Sequence, residues 1–473
     1  MHNEKLHVVM IPWLAFGHMI PFLELAKCLA KRGHRVSYIS TPRNLERLPS
    51  IPPNLSQHIN LVSLSSPPID GLPEHAQATI DVPLDQNHLL CQLQDGLEGP
   101  IHSFLRDQSP PPDWIIFDMV LYWVPRMAHS FGVPSAYLAV FSAATRCFVG
   151  PPSALLAKAE QPPKISLEQL MVAPPWITFP SKVAFRYHEA VQFIKIFSLG
   201  PSQASFGYRL WATIQGCTLV AIRTSINFEP DSLRLLSDLY QKPVLPVGFL
   251  SPSPPPPTPS SQEENNIWEE IQWLNAQKQV STVYVAFGSE VRFSQDQVTE
   301  LALGLELSQL PFLWAYRGDP ALLPMGFEDR VKSHGIIRMG WANGWAPQPK
   351  LLAHESVGSF FTHVGWGSTV EGLSFGKPLV MLPMIADQGL VARVMEEKKV
   401  GVEVCRNEID GSFTRDGVAK ALRLVMVEKE GECIRENARE MQNIFGDQSR
   451  NDQYIDEFLQ YLIKHRGDEA LRE

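Results

Sequence analysis

Short apolar runs alternate with amphipathic stretches along most of the chain, and glycine or proline marks many of the joins. Leu6–Leu14 (LHVVMIPWL) has the continuous apolar character of a strand buried on both faces. The loop Ala15–Met19 follows, then an amphipathic helix over Ile20–Arg32 stopped by Gly33, then a strand over Val36–Ser40. Trp114–Asp118, Pro134–Val140, Thr218–Arg223 and Val244–Phe249 continue the strand series. Residues 50–100 are rich in Pro, Ser and Leu and only weakly periodic. Residues 150–215 mix Pro, Trp and Phe with helical pieces, as loops and helices lining a pocket would. A βαβ opening of this kind predicts a doubly wound parallel sheet. Ser251–Asn266 (SPSPPPPTPSSQEENN) carries six prolines and no aliphatic or aromatic residue, the composition of a stiffened linker. A second α/β series begins with strand Thr282–Phe287, helix Ser294–Leu307 and strands Pro311–Tyr316 and Gly335–Trp341. It continues with helix Pro349–Ser356, strand Gly358–Val364, helix Ser368–Phe375, strand Pro378–Met384, helix Gly389–Lys398, strand Val400–Cys405 and three charged amphipathic helices. The expected fold class is α/β. Two Rossmann-like domains span 1–250 and 267–450, joined by a linker over 251–266 and followed by a closing segment over 451–473.

A length of 473 residues suits two cores better than one. The net charge of −9, with no basic block, argues against a nucleic-acid partner. Six cysteines (Cys28, Cys91, Cys147, Cys217, Cys405 and Cys433) are scattered without a C-x-x-C pair, as expected of reduced thiols in a cytoplasmic protein. No signal-peptide cleavage pattern follows the apolar start, and no run of about 18 apolar residues predicts a membrane span. A cytoplasmic monomer is the expectation.

Candidate chemistry concentrates in Trp345–Gln388 (WAPQPKLLAHESVGSFFTHVGWGSTVEGLSFGKPLVMLPMIADQ). Gly365–Ser368 reads as a strand-to-helix turn with Ser368 at or near the N-cap. Such a turn offers free N–H groups and the positive helix end to an anion, and a phosphate or diphosphate is the natural guest. In the first half, His18 follows the first strand just before a helix, whose N-terminus disfavours the imidazolium. Asp118 ends another strand on the same sheet edge. The two suit a base and its orienter for activating a hydroxyl. From pattern alone, the alternative is a surface histidine and a strand-end acid that never meet. Asp113, which precedes the strand, is the rival acid and is expected to be solvated. The loop WLAFGH lacks three spaced glycines and the second strand ends without an acid, which disfavours a nicotinamide dinucleotide site. No G-x-S-x-G elbow follows a strand, against a hydrolase, and no D-x-D predicts a divalent metal.

Over all 44 of its positions the Trp345–Gln388 stretch resembles the nucleotide-sugar signature of plant UDP-dependent glycosyltransferases. The likeness lies in the W-A-P-Q opening, the H-x-G-W-x-S core, the Glu three residues after the Ser, and the closing D-Q. The segments TPRNLERLP, FRYHE, RNEIDGSFTRDGVAKALRLVMVE and IFGD…YIDEF resemble the group whose members often extend sugar chains on flavonoid and terpenoid glycosides. One departure is Gly367, where the family usually has Asn. The resemblance implies a GT-B fold, two Rossmann-like domains facing each other across a cleft, with the last helix (Asp452–Lys464) crossing back to the first. It implies an inverting transfer, most often of glucose, from a UDP-sugar to a small lipophilic acceptor or its glycoside. UDP-rhamnose use, or nucleotide-sugar binding without turnover, are the alternatives. His18 would be the base and Asp118 its orienter. Trp345 would stack on uracil, with the Ala346 backbone and Gln348 at the ring edge and Glu371 on the ribose hydroxyls. His363, Ser368, the turn amides and Ser289 would hold the diphosphate. Trp366, Asp387, Gln388 and Ser142 would hold the sugar. Gly367 loses a side-chain amide while keeping its N–H and close approach. The acceptor is expected against His18, Phe16, Trp123 and Ala386, with Trp13, Phe141, Trp176, Phe179 and Phe185 as further apolar candidates. Glu74, His75, Asp81 and Asp85 add the polarity that a glycoside acceptor needs. His354 reads as a helix surface residue. No cofactor or metal is implied; the UDP-sugar is a co-substrate.

Overall fold

The computed structural model describes residues 5–155, 166–198, 205–252, 268–339 and 346–467. Two all-parallel sheets organise them. The first has β1 (His7–Ile11), β2 (Arg35–Ser40), β3 (Ile59–Ser63), β4 (Trp114–Phe117), β5 (Ser135–Ala139), β6 (Leu219–Ile222) and β7 (Val244–Pro246), in the order β3-β2-β1-β4-β5-β6-β7. The second has β8 (Thr282–Ala286), β9 (Phe312–Ala315), β10 (Gly335–Arg338), β11 (Val357–Thr362), β12 (Leu379–Met381) and β13 (Gly401–Glu403), in the order β10-β9-β8-β11-β12-β13. The strands are short and apolar because both faces are covered. In β1 and β4, Val9, Ile11, Ile115 and Phe117 enter one core, while Val8, Met10, Trp114 and Ile116 enter the core on the opposite face.

Strand order reverses once in each sheet, between β1 and β4 and between β8 and β11. Ile11 pairs with Phe117 at the first reversal, and Ala286 with Thr362 at the second. Open α/β sheets bind their ligands in the crevice beyond the strand ends at such a reversal. His18 and Asp118 follow β1 and β4. Gly288–Ser289 and His363–Ser368 follow β8 and β11. Both expected site halves therefore lie at switch points.

A shared core joins the halves. Phe228 and Phe249 of the first pack with Trp366 and Phe445 of the second, and the Phe249 and Phe445 rings stack with centroids 4.0 Å apart. Residues 166–198, expected along a pocket, dock instead on the second domain. Leu170, Val183, Phe185 and Ala190 are buried with Leu390, Val391 and Val394, which removes Phe185 from the acceptor wall. Buried charges pin this contact: Arg393 donates to both Glu189 oxygens at 2.8 Å and also pairs with Glu403, which takes Arg186 at 3.0 Å. The helix Gln448–Lys464 lies on the first domain. Ile455, Phe458, Leu459 and Leu462 complete the outer core of its sheet, Trp114 Nε1 donates to the Leu462 carbonyl at 2.9 Å, and Arg32 pairs with Asp452 and Asp456.

Several elements differ from expectation. The first helix runs Phe16–Lys31, so His18 is its third residue and does not precede it. The strand β3 (INLVS) was hidden because it is an edge strand with only Ile59 buried, in a Pro- and Ser-rich neighbourhood. Most of the Pro-rich linker and the end of the expected Gly335–Trp341 strand lie outside the described residues.

Candidate active site

His18 and Asp118 meet. The imidazole Nδ1 lies 2.8 Å from Asp118 Oδ2, and the Asp118 side chain is fully buried while His18 retains 12% exposure. The carboxylate is further held by two backbone donors, Trp13 N–H to Oδ2 at 3.1 Å and Met119 N–H to Oδ1 at 2.7 Å. An acceptor-only carboxylate on Nδ1 selects the tautomer with the proton there, leaving Nε2 as the basic nitrogen. The edge of the Phe141 ring system fixes the imidazole plane, with centroids 5.2 Å apart. Burial alone would keep the ring neutral. The Asp118 carboxylate, with Glu290 and Asp387 of the second domain farther off, outweighs it and raises the His18 pKa above the ordinary histidine value. Asp113 is no rival: its Oδ2 accepts the His7 N–H at 2.7 Å, at the opposite end of β1.

Across the cleft, β11 runs into the helix Trp366–Ser374 with Gly365 as N-cap, so Ser368 is the third helical residue and not the cap. Val364 turns the chain with φ of +56°, a left-handed conformation that costs a non-glycine residue about 1–3 kcal/mol. A Cβ on Gly288 or on Gly365 would come within 2.6 or 2.7 Å of His363 Nε2. The two glycines thus let the ring sit between the β8 and β11 turns. Burial lowers the His363 pKa to about 4, so the ring is neutral. Its Nδ1 lies 3.2 Å from Thr362 Oγ1, which also accepts the Val364 N–H; the tautomer in which this hydroxyl donates to Nδ1 leaves Nε2–H to donate. A neutral donor beside a helix N-terminus and the Gly288–Ser289 turn is a site for an anion.

Beside this turn, Gln348 Nε2 donates to Glu371 Oε2 at 2.8 Å, and the Tyr284 hydroxyl donates to Gln348 Oε1 at 3.4 Å. Burial raises the Glu371 pKa to about 7 against the opposing pull of Gln348 and Arg223. The Ala346 carbonyl accepts the Gln348 N–H at 2.8 Å. Trp345 lies outside the described residues. His354 is tied to Ser356 and Asn275, in keeping with a structural residue.

The residues expected at the sugar fall into different environments. Asp387 follows Ala386, which holds φ of +55°, and its Oδ2 is buried without a partner. Burial raises its pKa to about 6 although His18 and Arg146 pull it down. Gln388 gives its side-chain oxygen to the Met384 and Ile385 N–H groups, leaving its NH2 available. Ser142 is fully buried and caps the helix Ala143–Val149 through Thr145. Trp366 departs from expectation: its indole is buried in the interdomain core and Nε1 donates to the Arg223 carbonyl at 2.8 Å, so only its backbone remains for a sugar. Two acceptor-wall residues also turn inward. Trp123 is 2% exposed within the first-domain core, its Nε1 donating to Asp95, and Phe16 packs on Met19 and Ala78 beneath the Arg47 guanidinium. Glu290 and Arg223 were not singled out from sequence. Glu290 accepts the Thr79 hydroxyl across the cleft at 2.5 Å.

Gly367 has no left-handed backbone, and the nearest atom to a Cβ placed there is Arg223 Nη1 at 3.6 Å, an ordinary contact. Gly367→Asn is therefore accommodated. Its melting temperature is expected within about 2 °C of the parent, with turnover retained on UDP-glucose. A collapse in either would show that the glycine is required.

Comparison with known proteins agrees with this geometry. The family model described as UDP-glucoronosyl and UDP-glucosyl transferase matches residues 240–473. The chain is 44% identical over 461 residues to UDP-glycosyltransferase 91C1 of Arabidopsis thaliana, covering 97% of each chain. It is 40% identical over 473 residues to the soyasaponin III rhamnosyltransferase of Glycine max, covering 98% of this chain and 97% of that one. Among solved structures, Os79 from O. sativa in complex with UDP superposes with a TM-score of 0.76 at 22% identity, over 96% of this chain and 100% of the other, which shows a shared fold. A doubly wound pair of sheets, a buried His–Asp pair on one side of the cleft, a strand-to-helix turn with free N–H groups on the other, and near-full-length identity of this order place the chain in the plant UDP-glycosyltransferase family, GT-B enzymes that transfer sugar from UDP-sugars to plant metabolites.

Proposed function

We propose that the protein is an inverting transferase moving glucose from UDP-glucose to a hydroxyl of a flavonoid or terpenoid glycoside. The observation that carries this reading is the His18–Asp118 pair at 2.8 Å, with Asp387 of the second domain near enough to act on its charge. His18 Nε2 removes the acceptor proton as the acceptor oxygen attacks the anomeric carbon. The bond to the diphosphate oxygen breaks on the opposite face, and UDP departs with the electron pair. Asp118 keeps the proton on Nδ1 and offsets the imidazolium charge. His363, Ser368 and the helix N-terminus receive the charge that builds on the leaving diphosphate. Glu371 accepts the ribose hydroxyls in place of the Gln348 amide, freeing that amide for the base. Asp387 Oδ2 and the Gln388 NH2 group supply an acceptor and donors for neighbouring sugar hydroxyls.

A glycoside acceptor is favoured by the second-domain carboxylates whose charges act on His18: Glu290, which accepts the Thr79 hydroxyl, and Asp387. Of the polar residues noted in the sequence, Asp81 does not add to them, because Arg47 holds both its oxygens. UDP-rhamnose is the second donor reading, favoured by rhamnosyltransferases among the relatives and by the missing side chain at Gly367. A panel of UDP-glucose and UDP-rhamnose against a flavonol, a terpenoid alcohol and their monoglucosides tests both points. Product from UDP-glucose on the monoglucosides is expected. Faster rhamnose transfer would reverse the donor, and product only from the aglycones would reverse the acceptor.

A further inference from the structure

The helix Trp366–Ser374 opens toward the cleft with the N–H groups of Trp366, Gly367 and Ser368 in its first turn, where no intrahelical carbonyl can reach them. A side chain from the other domain arrives at the same place. Arg223 directly follows β6 and is 2% exposed. Its Nε donates to the Phe249 carbonyl at 2.5 Å and its Nη2 to the Leu250 carbonyl at 3.4 Å, while its own carbonyl takes the Trp366 indole N–H. These bonds fix the guanidinium plane. Nη1 makes no hydrogen bond among the described residues and points at Gly367, 3.6 Å from where a Cβ would stand. Glu371 and Glu24 act on Arg223 only through space; no hydrogen-bonded ion pair offsets its charge among the described residues.

Two arms of this guanidinium are committed to carbonyls, and the third has no hydrogen-bond partner among the described residues, so an anion beside the helix N-terminus would complete it. Glycine at 367 places no side chain between Nη1 and the turn. Resting on the UDP-sugar reading of this cleft, we propose that Arg223 is a donor-binding residue: its Nη1 supplies, from the first domain, a charge-assisted hydrogen bond to the diphosphate at the Gly367 turn. Gly367 and Arg223 then form a complementary pair, the cation doing from one domain what a side-chain amide at 367 would do from the other. Because Arg223 also bonds Phe249 and Leu250, at the start of the connection between the domains, diphosphate binding and domain alignment share one residue.

The test compares calorimetric binding of UDP and uridine, which lacks the phosphates, to the full chain. Arg223→Gln is expected to weaken UDP by about tenfold or more while changing uridine by less than about twofold. Adding Gly367→Asn to Arg223→Gln is expected to restore part of the lost UDP affinity. Equal losses for UDP and uridine, or no loss for UDP, would overturn the proposal. Should Arg223→Gln fail to fold, a crystal structure of the parent protein with UDP decides: Nη1 within hydrogen-bonding distance of a phosphate oxygen supports it, and Nη1 turned away from the phosphates refutes it. A parent protein that binds UDP no better than uridine would instead refute the UDP-sugar reading itself.

Discussion

His18→Ala is expected to abolish sugar transfer while leaving UDP affinity near that of the parent. In the proposed mechanism Nε2 takes the acceptor proton and has no part in holding the nucleotide, and removal of a positioned general base costs about 100- to 10,000-fold in rate. Asp118→Asn is expected to cost less, because the imidazole stays, but it should also move the pH profile. The carboxylate raises the His18 pKa, and the base works only when unprotonated, so the parent's rate rises with pH through a limb above the ordinary histidine value. Without the carboxylate, burial dominates and the limb shifts to lower pH. Steady-state kinetics across the neutral range, beside calorimetry with UDP, checks both variants. Parent-like turnover in His18→Ala, or an unmoved limb in Asp118→Asn, would remove the pair from the mechanism.

Glu371→Gln is expected to weaken uridine binding by about 1–3 kcal/mol, the worth of charge-assisted hydrogen bonds to the ribose hydroxyls. Its pH dependence is the sharper check. Burial holds the Glu371 pKa at about 7, so below neutrality the group is largely protonated and loses its strength as an acceptor. Parent affinity for uridine should therefore climb from pH 6 to pH 8, and Glu371→Gln should flatten that slope. The sign for stability is opposite. A carboxyl whose folded pKa is raised contributes fully below its unfolded value of 4.5 and loses that contribution as pH rises through about 7. The ligand-free variant should then melt above the parent at pH 8 and beside it at pH 4.5. A parent curve flat in pH would place the ribose elsewhere.

What could be read from sequence was whatever local chemistry announces. Strands buried on both faces are unbroken apolar runs, so β1, β4, β8 and β11 were visible with their turns, and a residue that ends such a strand must lie on the ligand edge. Asp118 was legible in this way; His18, which lies in the helix after β1, was paired with it across 100 positions through the family resemblance, the pattern alone leaving a surface histidine as the alternative. Direction was not visible. Trp123 and Trp366 carry the same aromatic signal as a pocket wall, yet both rings turn into cores, because an indole is stable wherever its N–H finds a carbonyl or carboxylate. The start of the first helix was misplaced because Gly17 imitates a loop and Pro21 a first helical turn, while the true N-cap, Ala15, offers no side-chain signal. Arg223 and Glu290 were silent for another reason. Each is a single charged residue after a strand, and its meaning depends on which atoms of the other domain come to face it.

The helix Gln448–Lys464 also sets a timetable for biosynthesis. Every strand of the first sheet has been synthesised once residue 246 is made, yet the outer face of that sheet lacks Ile455, Phe458, Leu459 and Leu462 until translation has passed through the whole second domain. The nascent first domain must therefore wait with an uncovered apolar face, in reach of chaperones and of neighbouring chains. Fragments that stop before the helix are expected to need solubilising partners even though they contain every strand of a complete sheet.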